Sequence, residues 1–121
     1  PYRLDLDGPH YRIWFHGVLS GRDLREVADE VREHERGLVQ VPDRLVDMSE
    51  MIATSGPVRA VHRFPKAFRS ALVAPRVEVA GFARIFRILN RNPQITVEVF
   101  ESVERAEEWL GALSTTATST P

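Results

Sequence analysis

Residues His10 to Val31 read HYRIWFHGVLSGRDLREVADEV, and a change of period inside this stretch decides the fold. Up to Leu19, Tyr11, Ile13 and Phe15 alternate with Arg12, Trp14 and His16, the pattern of a strand with one buried face. Beyond Ser20 the spacing becomes helical. Leu24, Val27, Ala28 and Val31 recur on one side, while Arg22, Glu26, Asp29, Glu30 and Glu33 cover the other. Ser20 supplies the hydroxyl that accepts from an orphaned N–H of the first turn, and Gly37 ends the helix. A strand passing directly into an amphipathic helix is the first half of a β-α-β unit.

Working outward to the amino end, Tyr2, Leu4 and Leu6 alternate with Arg3 and Asp5, and Asp7-Gly8-Pro9 turns the chain, which predicts a hairpin. In the other direction, Arg44 to Met48 reads as a buried strand. It leads through Ser49 to Gly56 into a second helix, Val58 to about Arg63, with Pro57 in its first turn. Pro65 interrupts that helix, so 64–68 reads as a break. Ser70 to Ala74 is another short buried strand, and residues 77–90 form a helix with Phe82, Ile85, Phe86 and Leu89 on one stripe. Ile95, Val97 and Val99 mark the last strand, and Ser102 caps a final helix burying Val103, Ala106, Trp109, Leu110 and Leu113. The Ser/Thr-rich stretch 114–121 has nothing to pack and is predicted to be a disordered tail. The expectation is a single domain over 1–113 of α/β class. Its order is β-β-α-β-α-β-α-β-α, with a mixed, mostly parallel sheet and an N-terminal antiparallel hairpin.

The whole chain has 121 residues, 16 of them Lys or Arg and 17 Asp or Glu, for a formal net charge of −1. That balance argues against a nucleic-acid partner, which calls for a strongly basic protein. There is no Cys, which removes thiolate chemistry and suits the reducing cytoplasm. No apolar run approaches the roughly 18 residues of a membrane span, and no signal-peptide core is legible at the amino end. The expected location is therefore cytoplasmic, with peripheral attachment to a membrane left open by the charge pattern described below.

The element order, with two strings, resembles the SpoIIAA-like superfamily of STAS domains, in particular its small stand-alone STAS/SEC14-type bacterial proteins. One string is FESVERAEEWL, Phe100 to Leu110, similar to that branch's last strand and final helix; the other is VAPRVEVAGFARIFRIL, Val73 to Leu89, similar to a strand-to-helix step. A third stretch, LVDMSEMIATSGPVRAV, Leu45 to Val61, is similar to the phosphorylatable segment of anti-sigma factor antagonists. The resemblance implies a phosphosite or interaction face at Ser49, Thr54 and Ser55, with a regulatory protein as partner. Ala53 stands where those proteins carry an acid, and Pro57 removes an N–H donor. The other reading of Thr54 or Ser55 is a hydroxyl capping the second helix.

Charge is unevenly distributed. Between Pro57 and Arg91 the bases Arg59, Arg63, Lys66, Arg69, Arg76, Arg84, Arg87 and Arg91 face the single acid Glu78, and the segments on either side are acidic. Arg84, Arg87 and Arg91 share one helical face beside the Phe82 stripe, so this helix is basic and amphipathic. Arg59, Arg63, Lys66, Arg84, Arg87 and Arg91 are candidates for meeting an anionic surface. Phe64, Phe68, Phe82, Phe86 and Leu89 are candidates for lining an apolar cleft. SEC14-type domains of similar architecture carry lipid in such a place, which implies an apolar or lipid-like ligand. The bland alternative is packing of the stripe on the sheet, with the arginines paired to acids of neighbouring helices.

No phosphate loop, HExxH helix, EF-hand loop or nucleophile elbow is present. His10 and His16 read as strand-surface residues, His34 as solvated near a helix end, and His62 as one of a basic group. Asp47 ends a buried strand in the region where α/β sheets bind ligands, and its simplest role is to accept from loop N–H groups. The expectation is a non-enzymatic domain with no cofactor and no metal. It binds an apolar or amphiphilic anionic ligand or an anionic membrane, or else acts as an interaction switch. A homodimer anchored by Trp14 is a further expectation.

Overall fold

In the computed structural model, which describes residues 1–56, 66–89 and 94–118, with backbone alone at 78, 82, 85, 86, 88, 89 and 112–118, the chain is α/β. A hairpin of β1 (Tyr2–Asp5) and β2 (Tyr11–Ser20) leads into α1 (Gly21–Glu35). Then come β3 (Arg44–Ser55), β4 (Phe68–Val73), α2 (Val77–Leu89), β5 (Ile95–Phe100) and α3 (Val103–Thr118). The sheet order is β1-β2-β3-β4-β5, antiparallel in the hairpin and parallel thereafter. The second helix expected at 58–63 lies outside the described residues.

The join between β2 and α1 follows the sequence closely. Ser20 Oγ accepts from the Asp23 amide at 3.1 Å, and Asp23 Oδ2 accepts from the Ser20 amide at 2.8 Å, a reciprocal cap that stabilises the helix by about 1 kcal/mol. The Ser20 amide and the Ser20 hydroxyl, which donates to the same Asp23 Oδ2 at 2.9 Å, hold the Asp23 carboxyl below the usual range. At the far end Gly37 adopts φ +90°, open to glycine without penalty, and the Leu38 amide closes on the Glu35 carbonyl at 3.0 Å.

Successive parallel strands step in one direction across the sheet, and right-handed connections then place the linking helices on one face. On that face Val27 and Val31 of α1 and Val79 and Ala83 of α2 pack with Tyr11, Ile13, Phe15, Val46, Met48 and Leu72. The opposite face is covered by α3, where Ala106 and Leu110 meet Leu45, Ala71 and Val73. Phe100 and Trp109, the two aromatics of the string Phe100 to Leu110, pack with ring centroids 5.4 Å apart. The backbone of α3 continues to Thr118, past the Leu113 at which its apolar stripe stops.

Two strand boundaries differ from expectation by two residues or more. β3 does not stop at Met48 but continues to Ser55, because β2 extends to Ser20 and offers it a ladder. Register shifts between Trp14 and His16 and between Gly17 and Val18 insert extra residues into β3, which destroys the period of two that would have revealed the strand. β4 begins at Phe68, not Ser70. Its first amide donates to the Gln94 carbonyl at 3.2 Å, and the next, that of Arg69, donates to Asp43 Oδ1 at 2.8 Å. The break expected at 64–68 therefore does not include Phe68.

Candidate functional site

Parallel strands leave their carboxyl ends together at one rim of the sheet, the usual location of function in α/β folds. Here the rim is formed by the ends of β2 and β3 and the start of α2. The β3–β4 ladder ends at Asp47–Val73, so beyond that point β3 is paired with β2 alone among the described strands. Arg76 reaches across the gap and donates to the Met51 carbonyl, tying the amino end of α2 to β3. Val77 follows at 87% exposure, and Ile52 and Val18 on the two extended strands are 64% and 51% exposed. Each is a large aliphatic side chain that the core leaves exposed at this end of the sheet.

Along α2, Val79 and Ala83 face the sheet while Val77, Gly81 and Arg84 fall at helical spacing on the solvent side, with Arg87 at its flank. Arg87 approaches Glu98 of β5 at 3.7 Å, both side chains being about half exposed, so the guanidinium remains hydrated and available. Of the six cations expected to meet an anionic surface, Arg84 and Arg87 thus stand exposed on one helix. Lys66 does not join them: its ammonium donates to the Leu38 carbonyl in the loop after α1. Arg59, Arg63 and Arg91 lie outside the described residues.

For the expected apolar cleft, Phe68 is 9% exposed and its ring is covered by the Arg44 guanidinium at 3.4 Å, so this side chain is engaged in packing at the amino end of β4. Phe64 lies outside the described residues, and Phe82, Phe86 and Leu89 are placed on α2 by their backbone alone.

The hydroxyls compared with a phosphosite belong to a strand. Thr54 and Ser55 are the last residues of β3, opposite Leu19 and Ser20, and Gly56 turns the chain with φ +74°. Thr54 is half-buried and Ser55 exposed, beside the capped amino end of α1. Ser49, also in β3, donates its hydroxyl and its amide to Asp47 Oδ1, the amide at 3.0 Å. Asp47 thereby accepts from the N–H two residues on, within β3 and not in a loop, since the strand continues past it.

At the opposite end of the sheet the structure assembles a charged cluster that sequence reading did not single out. Glu35 and Arg44 form a buried ion pair, their side chains 9% and 4% exposed. Arg44 also donates to the Pro42 carbonyl at 2.8 Å and lies over Phe68 and Tyr11. Burial pushes the Glu35 carboxyl up against the pull of Arg44, and draws Arg44 down against the pull of Glu35. The Tyr11 hydroxyl meets His34 Nδ1 at 3.0 Å, so His34, though exposed, has a defined partner. A neighbouring concavity of about 470 Å³ is lined by Asp29, Arg32, Glu33, Glu35, Arg36 and Lys66, with both signs of charge on its walls. A second pair, Arg69–Asp43 at 2.6 Å, anchors α3, since Arg69 also donates to the Trp109 and Leu110 carbonyls. One signal was available: Glu35 continues the spacing of Val27 and Val31 and so falls on the buried stripe of α1.

Among the described residues no three His, Asp or Glu side chains are grouped to hold a metal ion. No described helix is long and apolar enough to cross a membrane.

These elements define an α/β domain of SpoIIAA-like fold, with an N-terminal antiparallel strand ahead of four parallel ones. The chain is similar in structure to an uncharacterised protein of the DUF3478 family from Shewanella loihica PV-4, itself described as having a SpoIIAA-like fold. The match has a TM-score of 0.58 and covers 90% of this chain and 93% of that one, at 13% sequence identity. At that identity the likeness concerns the fold. No family model matches the chain, and no curated protein matches it.

Proposed function

We propose that this chain is a non-enzymatic SpoIIAA-like binding domain that takes an amphiphilic anionic ligand, or lies peripherally against an anionic membrane, through the outward side of α2. The observation that carries this reading is the exposed stripe on which Val77, at 87% exposure, is followed by Arg84 and flanked by Arg87. An apolar side chain next to hydrated guanidinium groups suits a surface of phosphate headgroups over hydrocarbon. The shielded carboxylates are already committed, Glu35 to Arg44, Asp43 to Arg69 and Asp47 to Ser49, which favours a binding role over acid–base catalysis.

The test is co-sedimentation with vesicles of phosphatidylcholine containing phosphatidylglycerol. Binding is expected at low salt and should weaken as salt rises. Near such a surface each basic residue contributes about 1 kcal/mol, so reversing both arginines in Arg84→Glu/Arg87→Glu should reduce partitioning about thirty-fold or more. Absence of binding at low salt, or equal binding by the variant, overturns the proposal.

The exposure of Ile52 and Val18 beside Ser55 favours a second reading, in which a regulatory protein docks on the rim formed by β2 and β3. Negative charge at Ser55 would then act as a switch. Ser55→Glu should change retention of such a partner without changing vesicle binding, measured by pull-down from the source cell with the Ser55→Ala variant alongside; identical partner profiles for both variants and the parent chain count against this reading.

A further inference from the structure

β1 is the outer strand of the sheet, and among the described residues nothing pairs with its far edge. The His16 amide donates to the Pro1 carbonyl at 2.8 Å, so residue 1 turns its backbone groups toward β2. Backbone direction alternates along a strand, so Arg3 and Asp5 also face β2, while Tyr2 and Leu4 turn their N–H and C=O groups outward, and Leu6, just past the end of β1, continues that alternation in sequence. Any strand added to this edge must bond Tyr2 and Leu4. Their side chains lie on the α1 side of the sheet, half-buried against the main core, and Arg3 and Asp5 are exposed on the α3 side.

We propose that the edge of β1 pairs antiparallel with β1 of a second copy of this chain, about a two-fold axis at Leu4, making one continuous sheet. The outward backbone groups allow only registers in which even-numbered residues pair with even-numbered ones. Centring the axis on Arg3 would set like cations opposite each other, and centring it on Asp5 would do the same with like anions. Centring it on Leu4 sets Arg3 against Asp5 of the partner subunit, twice by symmetry, with Leu4 on Leu4 of the partner subunit and Tyr2 on Leu6 of the partner subunit. The stretch Tyr-Arg-Leu-Asp-Leu is therefore complementary to itself in apolar character and in charge, in the one register the hydrogen bonding favours. A second copy satisfies this edge better than an unrelated peptide, which would need the same alternation of charge. In the single chain the Arg3 guanidinium rests on the Trp14 ring of β2 at 4.1 Å, so pairing across the edge turns it outward from that ring.

Sedimentation velocity of the full chain over a concentration series should show a monomer–dimer equilibrium. Arg3→Asp replaces both attractive pairs by repulsive ones and should weaken the dimer about tenfold or more. The reciprocal variant Arg3→Asp/Asp5→Arg restores the opposition of charges and should return the dimer toward parental affinity. Because the chain has no Cys, Leu4→Cys gives a single thiol. Directly opposed bonded residues have Cα atoms about 5.5 Å apart, within disulfide range, so mild oxidation should trap a covalent dimer. A Glu104→Cys control should not be trapped. A strictly monomeric parent chain overturns the proposal, as does a dimer indifferent to Arg3→Asp or a Leu4→Cys variant that is trapped no faster than the control.

Discussion

Arg44→Met is expected to lower the unfolding free energy by about 3–5 kcal/mol, the loss typical when one member of a buried ion pair is removed and the other remains. Glu35 would be left 7% exposed with no guanidinium beside it, and the Phe68 and Tyr11 rings would lose the cation that covers them. The double variant Arg44→Met/Glu35→Leu removes both desolvation penalties and should recover most of that loss. Urea titrations of the three proteins measure this directly. The pH dependence has a definite sign. An uncompensated buried Glu35 in the single variant binds its proton more tightly folded than unfolded, so the deficit is greatest at neutral pH. It narrows as the pH falls toward the ordinary carboxyl range near 4.3. A single variant within about 1 kcal/mol of the parent would mean that water reaches the pair and that the interaction is of the surface kind.

Leu45→Ala should cost about 2–5 kcal/mol, the range for truncating a fully buried leucine. Leu45 has no exposure and is the large side chain that β3 presents to α3, against Ala106 and Leu110. Because small residues, Ala71 and Ala106, surround it, little else can move in to fill the space. The loss should be read both as a shift in the denaturation midpoint and as faster amide exchange in α3 than in α1, whose packing lies on the other face of the sheet. Val39→Ala, at a position 90% exposed, is the matched control and should change stability by less than about 0.5 kcal/mol. Equal acceleration of exchange in both helices would show that the two faces unfold as one unit.

The fold was legible wherever a single period persisted. The hairpin, α1 with its Ser20 cap, the helix from Val77 and the strand from Ile95 were read correctly because one side of each meets one environment along its whole length. β3 was truncated in the reading because two register shifts within seven residues, Asp47 to Ala53, break the alternation just where the strand leaves the centre of the sheet. With that truncation Thr54 and Ser55 were placed after the strand, whereas they are its last two residues. Arg84 and Arg87 were legible as exposed cations from helical spacing alone. The exposure of Val18, Ile52 and Val77 was not, because three aliphatic residues distant in sequence carry no local sign that they stay outside the core.

Local pattern, then, determined the class of this protein: the order of its elements, the antiparallel start, and the basic amphipathic helix that the proposed function rests on. Each of these depends on which environment successive residues meet, and that is written in periodicity. Tertiary structure decided the pairings. It chose Arg44 for Glu35, Asp43 for Arg69, the Met51 carbonyl for Arg76, and an outward-facing backbone for Tyr2 and Leu4. Those choices depend on register and on distances between segments far apart along the chain, which only the packed sheet specifies.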